Sequence, residues 1–414
     1  MLTDNVLLEI FDFYRENYDY PPPRVWKWHV LVHVCQTWRQ IIFASPHRLN
    51  LQILCTNGTP VRKHLCIWPA FPIVIDYYYS GSSLIPNDED NVTAALEHPD
   101  RVCYLEFNIT GSQLRELAKV MQKPFLVLTH LTISSEDGNA LALPARFLGG
   151  STPCLQKIFL SNISFLALPM LLLSANDLVR LNLCDIPWNS YVSPEVMVVG
   201  LAALPRLKYF TIEFQSEVVG HKVGQWWPDR IRPPPPVTRT ALPALRFFQF
   251  KGSSEYLEDL VAQIEGPLLK QIFVDYMDRP VDSQVARFFK FVDCSVGHKS
   301  TPFSLANVCL FSGRVAFTLY CHANYPDWDR HSICIIISCE EIDWQAFATS
   351  YLARLLGQFS ATLSTVVHLE LEVQLDEDHQ LEGTDYGEWL HPFRRFSTVQ
   401  DTACISGARR GRCS

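Results

Sequence analysis

The sequence predicts an α/β protein: a small N-terminal helical module followed by an irregular solenoid of parallel strands alternating with helices. Three observations carry this expectation. Two amphipathic helical segments fill the first fifty residues, separated by three consecutive prolines, Pro21 to Pro23. From Val102 onward an apolar-x-x-apolar-x-apolar motif recurs. The chain has 414 residues, 48% of them hydrophobic, which suits a stacked array with a module in front of it.

The first segment predicts a helix. Thr3 or Asp4 is placed to cap the free N–H groups of its first turn. Val6, Leu7, Ile10, Phe11 and Tyr14 then share one broad face. The stretch from Tyr18 to Pro23 ends it, because consecutive prolines cannot continue a helix. The second segment repeats the pattern, with Leu31, Cys35, Trp38 and Ile42 in one stripe widened by Val30, Val34 and Ile41. Ser45 and Pro46 read as a cap followed by proline at a first helical position, predicting a third, very short helix near His47 to Leu49. Helices this small bury few side chains against each other, so the remaining apolar faces need company.

These residues resemble the F-box, a three-helix adaptor motif. The likeness lies in Leu2, Asp4, Val6, Leu7, Ile10 and Phe11, then Leu31, Val34, Cys35, Trp38, Arg39 and Ile41, then Ser45, Pro46 and Leu49. It is closest to the F-box proteins of mushroom-forming fungi, in which the motif precedes divergent leucine-rich repeats. Two departures stand out: Thr3 replaces the usual proline, and the spacer from Tyr18 to Lys27 is long for the family. The resemblance implies a Skp1-like adaptor as partner and, through it, a cullin-RING ubiquitin ligase. It assigns adaptor contact to Leu2, Val6, Leu7, Ile10, Phe11, Leu31, Val34, Cys35, Trp38 and Ile41.

Residues 51–100 read as a linker or atypical first repeat, with strand-like runs at Leu49-x-Leu51-x-Ile53 and Ile73 to Ile75. Residues 101–375 read as the array. Its motif starts at Val102, Leu128, Leu155, Leu178, Leu207, Leu245 and Leu269, at spacings of 26, 27, 23, 29, 38 and 24. All but the longest spacing fall in the roughly 20–29 residue period of leucine-rich repeats. The last two apolar positions of each unit lie two apart, so both point inward from one strand. Helical runs fill the intervals, at Ser112 to Met121 and at Tyr256 to Ile264. The regular asparagine or cysteine ladder is missing, with Cys184 the one suggestive position, which predicts uneven curvature. The long interval holds a proline-rich segment near 226–240, expected as an exposed loop. Beyond residue 280 helical spacing persists at Val285, Phe288, Phe289 and Val292, and strand-like runs follow at Val315 to Leu319, Ile333 to Ile337 and Val366 to Val373. Residues 376–414 read as an acidic loop and a frayed tail.

Composition narrows the function. A net charge of −8 argues against nucleic acid as the main partner. Thirteen cysteines without CxxC pairs predict reduced thiols and a cytoplasmic or nuclear location. No run of 18 apolar residues and no signal-type opening predict a membrane partner. Cys321, His322, His331 and Cys334 are zinc-ligand types at unsuitable spacing, and Asp376 and Asp378 lack the rest of a calcium loop. No phosphate loop or nucleophile elbow is present, so no enzyme activity, cofactor or metal is expected. The expected role is substrate recognition in an SCF-type ligase. Outward strand positions Tyr104, Glu106, Thr132, Lys157, Phe159, Tyr209 and Thr211 are the candidates for holding an unknown protein substrate. The rival expectation is a leucine-rich-repeat binding scaffold without a ligase role.

Overall fold

The computed structural model describes residues 3–14, 28–78, 84–135, 141–164, 168–187, 190, 192–215, 239–277, 285–296, 302–311, 314–321, 331–338, 344–374, 393, 396, 398–406 and 409–412. It is mixed α/β, with large, mostly parallel and open sheets. The chain divides into two compact units, Met1–Leu178 and Val179–Ser414.

The first unit runs α1 (Asp4–Tyr14), α2 (Trp28–Leu31), α3 (Gln36–Ala44), β1 (Ile53–Cys55), α4 (Val61–Ile67), β2 (Ile73–Tyr77), α5 (Pro86–Leu96), β3 (Val102–Ile109), α6 (Gly111–Val120), β4 (His130–Ser135), β5 (Leu141–Ala142), a 3-10 turn (Phe147–Gly150), β6 (Lys157–Ser161), β7 (Ile163–Ser164) and α7 (Leu168–Ser174). Strands β1, β2, β3, β4 and β6 pair in that order, all parallel. Each connection between these neighbours is a crossover, as parallel pairing demands.

The second unit runs β8 (Arg180–Ile186), α8 (Pro194–Ala202), β9 (Tyr209–Phe214), β10 (Thr240–Ala241), β11 (Phe247–Gly252), α9 (Ser254–Val261), β12 (Ile264–Glu265), β13 (Gln271–Tyr276), α10 (Ala286–Val296), β14 (Leu305–Phe311), β15 (Arg314–Tyr320), β16 (Ser332–Ser338), α11 (Trp344–Gln358), α12 (Ser360–Leu363), β17 (His368–Gln374), β18 (Asp401–Ser406) and β19 (Arg409–Arg412). Its sheet order is β8-β9-β11-β13-β16-β15-β14-β17-β18-β19. Parallel pairing is interrupted at β15, which runs antiparallel to both β14 and β16.

The recurring motif accounts for the core. Every first, second and third apolar position, from Val102, Leu105 and Phe107 to Leu269, Ile272 and Val274, is buried. The strand register follows the motif. Leu105 pairs with Leu131 and Leu131 with Ile158. In the second unit Phe210 pairs with Phe248 and Phe248 with Ile272. A shared turn precedes the strands: the N–H of Leu155, Leu178, Leu207, Leu245 and Leu269 each donates to the carbonyl three residues earlier. The first motif residue is thus folded inward before the chain extends.

Several expectations are refined. Helix α6 covers Ser112 to Val120 of the first expected run, with Leu114, Leu117 and the capping Met121 buried; α9 covers Tyr256 to Val261 of the other, whose last residue, Ile264, opens β12. Three helices lie within the first fifty residues, divided differently from the sequence reading. The second expected helix breaks after Leu31 and resumes at Gln36, while 46–50 is a turn. Strand β14 was not foreseen and inserts a hairpin with β15. In place of the expected frayed tail, Asp401–Ser406 pairs in parallel with β17 and antiparallel with Arg409–Arg412. Residues 1–50 and 51–100 lie in one compact unit with the strands that follow up to Leu178. Trp28 lies against Trp68 (4.8 Å) and Phe71 (5.5 Å), and its indole N–H donates to the Gln52 carbonyl (3.0 Å), welding the helices to the strands that follow. The spacer at 18–27, most of the proline-rich segment and Asp376 to Asp378 lie outside the described residues.

Among the described residues, no helix is long and apolar enough to cross a membrane, and no group of three or more His, Cys, Asp or Glu is placed to hold a metal ion.

Candidate functional site

The N-terminal helices sort the expected adaptor residues into two sets. Leu7, Phe11, Leu31 and Ile41 are buried in the unit's own packing. Phe11 meets Trp38 edge-on at 4.9 Å, an arrangement favoured by the ring quadrupoles. Arg48 fastens α1 from below, bonding Glu9 and, at 3.3 Å, Asp12. These four side chains line the interior instead of a docking surface, which corrects their assignment to direct contact.

The second set stays outside. Val6 and Ile10 are 43% and 46% exposed, and Val34 is 56% exposed. Val6 and Ile10 are one helical turn apart on α1, so they share a face. Val30 is similarly exposed at the end of α2. Trp38 is half-buried. Leu2 lies outside the described residues.

Cys35 has a different place from the one its spacing implied. It is the N-cap of α3, with extended backbone, and its sulfur accepts from the Trp38 N–H at 3.5 Å. The thiol is exposed instead of facing the core. Together with His33, Gln36, Arg39, Gln40 and Phe43 it borders an open depression. Arg39 holds the turn that creates it, donating to the Val32 carbonyl at 3.0 Å.

The expected substrate residues fall on the sheet faces of both units. In the first unit, inward Leu105, Phe107 and Ile109 leave Tyr104, Glu106 and Asn108 on the opposite face. Register lines up Tyr104, His130 and Lys157 in one row and Asp76, Glu106, Thr132 and Phe159 in the next. The Tyr104 hydroxyl donates to Glu106. Burial raises the Glu106 carboxyl above its usual range, the Tyr104 bond opposes this, and nearby Asp76 adds to it. Burial likewise raises Asp76, against a bond from the Tyr78 N–H. His130 is pushed down to about 4 by burial and then by Lys157. Asp76 and His130 were not singled out in the sequence; their register with Glu106 and Tyr104 is the signal that locates them.

In the second unit Tyr209 sits under the Arg180 guanidinium, 4.4 Å from ring centre to carbon. Thr211 is buried, which corrects its assignment to substrate contact. Its partner across the sheet, Gln249, donates to Glu213, two residues further along β9, at 2.6 Å. Burial raises Cys184 to about 12, with the Glu213 charge adding to it, so the thiol stays protonated at neutral pH.

The fold and these faces define a mixed α/β chain that offers exposed apolar helix positions and polar, half-buried strand faces. Compared with protein-family models and with curated proteins, it matches none.

Proposed function

We propose that this chain is the substrate-recognition subunit of an SCF-type (Skp1–cullin–F-box) ubiquitin ligase. In this reading the N-terminal helices are an F-box-like module that binds a Skp1-like adaptor. The strand–helix units are divergent leucine-rich repeats that hold a protein substrate. The compartment is the cytoplasm, the nucleus or both. Catalysis belongs to the associated enzymes, and this chain raises the effective concentration of a substrate lysine near the charged carrier.

The observation that carries the reading is the half-exposure of Val6, Ile10, Val30 and Val34 on a module whose Leu7, Phe11, Leu31 and Ile41 are packed. Exposed apolar side chains on small helices and the turn between them favour a protein partner. Trp38, half-buried against Phe11, suits an aromatic anchor at the edge of such a contact.

The test is capture of a purified Skp1-type adaptor by the full chain. Deleting residues 1–50 removes Trp28 from the aromatic cluster and disturbs the fold, so surface substitutions are the cleaner probe. Ile10→Asp with Val34→Asp is expected to weaken capture at least about tenfold while the circular dichroism spectrum stays unchanged. Equal capture by the double variant refutes the assignment.

A further inference from the structure

We propose that the outward face of β2, β3, β4 and β6 binds an arginine side chain presented by a protein partner, with Asp76, Glu106 and His130 as acceptors and Tyr104 and Phe159 as flanking rings. This rests on the reading that the strand face holds a protein substrate, and it names what that face selects.

The acceptors are set by register. Asp76 is directly opposite Glu106 on neighbouring parallel strands. Strands stand ~4.8 Å apart, so two carboxylates in one row repel unless a cation lies between them. Tyr104 supplies one proton to this row through its bond to Glu106 and has no second to give.

His130 adds an acceptor of fixed type. The hydroxyl of Thr129 donates its only proton to the Cys103 carbonyl at 2.8 Å. The 2.8 Å contact between Thr129 Oγ1 and His130 Nδ1 therefore takes its proton from the imidazole. Nε2 is left as a lone pair, and burial keeps the ring neutral at physiological pH.

The aromatic walls complete the face. The Tyr104 and His130 rings stand 5.3 Å apart, tilted by 30°. Phe159 is in register with Thr132 and lies two strands beyond Glu106, in the same row. A guanidinium brings five donors in a plane and stacks on aromatic rings, whereas an ammonium is a compact point charge. Acceptors spread over three strands beside flat rings match the former. Lys157, in register with His130, is exposed.

The experiment probes the full chain on arrays of randomised dodecapeptides whose central residue is arginine, lysine or glutamine. The arginine set is expected to bind at least about tenfold over the glutamine set and above the lysine set. Glu106→Gln should abolish that excess, while Glu116→Gln, an equal charge change on the outer surface of α6, should preserve it. Equal binding of the arginine and lysine sets, or an excess that Glu106→Gln leaves intact, overturns the arginine assignment. If binding is uniform across sets yet falls in Phe159→Ala, the strand face still holds peptide and only the arginine chemistry is lost. If Phe159→Ala changes nothing, the strand-face reading falls with it. Circular dichroism of each variant excludes simple misfolding.

Discussion

The Glu258 carboxylate caps the next helix in the array: its Oε1 accepts from the Phe288 N–H at 2.7 Å, and its Oε2 from the Arg287 N–H at 2.9 Å. Glu258 lies on α9 and is almost fully buried, while its two donors open α10. The first N–H groups of a helix have no partner within it, and negative charge there is favoured by the helix dipole. Related devices recur in the first unit. Asp88 of α5 accepts from the Gly58 N–H, and Asn91 of α5 accepts from the Arg62 N–H in the first turn of α4. Gln113 of α6 both donates to and accepts from the backbone of Leu84, just ahead of α5. In each case a polar side chain on one helix ties down backbone near the neighbouring helix.

Glu258→Ala takes the carboxylate from one buried and one part-buried N–H group. The expected loss is about 2–3 kcal/mol of unfolding free energy, read by urea denaturation. Glu258→Gln keeps one acceptor and should lose about half as much. A Glu258→Ala variant as stable as the parent would show that water replaces the carboxylate.

Much of the array was legible because one local pattern sets both burial and register. Leu131 and Ile133, or Phe248 and Phe250, are buried as their spacing requires, and like positions pair across strands. Three features were illegible for physical reasons. The break at Val32 to Cys35 keeps apolar residues in helical phase, so periodicity passes straight through it, and a thiol is an uncommon cap. The β14–β15 hairpin depends on pairing with β17, 63 residues further on for Leu305 and His368, which no local window contains. Asp401–Ser406 pairs with β17, 33 residues earlier for Asp401 and His368, which again lies outside any local window. For the candidate face, Glu106 and Tyr104 were visible as outward positions, whereas Asp76 and His130 needed the register to bring them alongside.

Gly149 is held by a close approach. Its φ is +62°, and a Cβ there would lie 2.5 Å from Pro124 N and 2.8 Å from the Lys123 carbonyl carbon. The adjacent Leu148 is also left-handed, at φ 54°, and its N–H donates to the Met121 carbonyl at 2.7 Å, so the loop cannot swing away cheaply. Gly149→Ala should cost at least about 2 kcal/mol. Gly150 has φ +67° but open space around it, so Gly150→Ala should cost only about 1 kcal/mol, the left-handed strain alone. Thermal denaturation of the two variants side by side measures the difference. Equal losses would mean that backbone strain, not the Pro124 contact, sets the requirement.

His130 gives the first unit a defined acid sensitivity. Its folded pKa is lowered to about 4 by burial and by Lys157, against about 6.5 in an unfolded chain. Between those values the unfolded state binds more protons, so stability rises with pH through that window and is lost as pH falls through it. With partial solvent screening the contribution is roughly 1–2 kcal/mol. His130→Gln should flatten the difference between pH 6.5 and pH 4 by that amount in urea titrations. Asp76 and Glu106, raised by burial, act in the opposite sense, and the paired comparison cancels them because both variants retain them. An unchanged pH profile in His130→Gln would refute the buried, neutral imidazole.

Cys35 is placed to report on the proposed adaptor contact. Its thiol is exposed at the start of α3, beside Trp38, whose N–H it accepts. Cys55 is buried and pushed up to about 12 by desolvation, so it stays protonated and shielded. Brief treatment with iodoacetamide should therefore label exposed Cys35 at least about tenfold faster than Cys55, which is shielded and held protonated. Adding a Skp1-type adaptor should protect Cys35 but leave Cys66, exposed near the end of α4, as reactive as before. Protection that disappears in Ile10→Asp with Val34→Asp would tie the shielded thiol to the same surface. Peptide-level mass spectrometry resolves the three sites in one digest. Labelling of Cys35 that is identical with and without adaptor, under conditions where the adaptor co-purifies, would put the contact elsewhere on the chain.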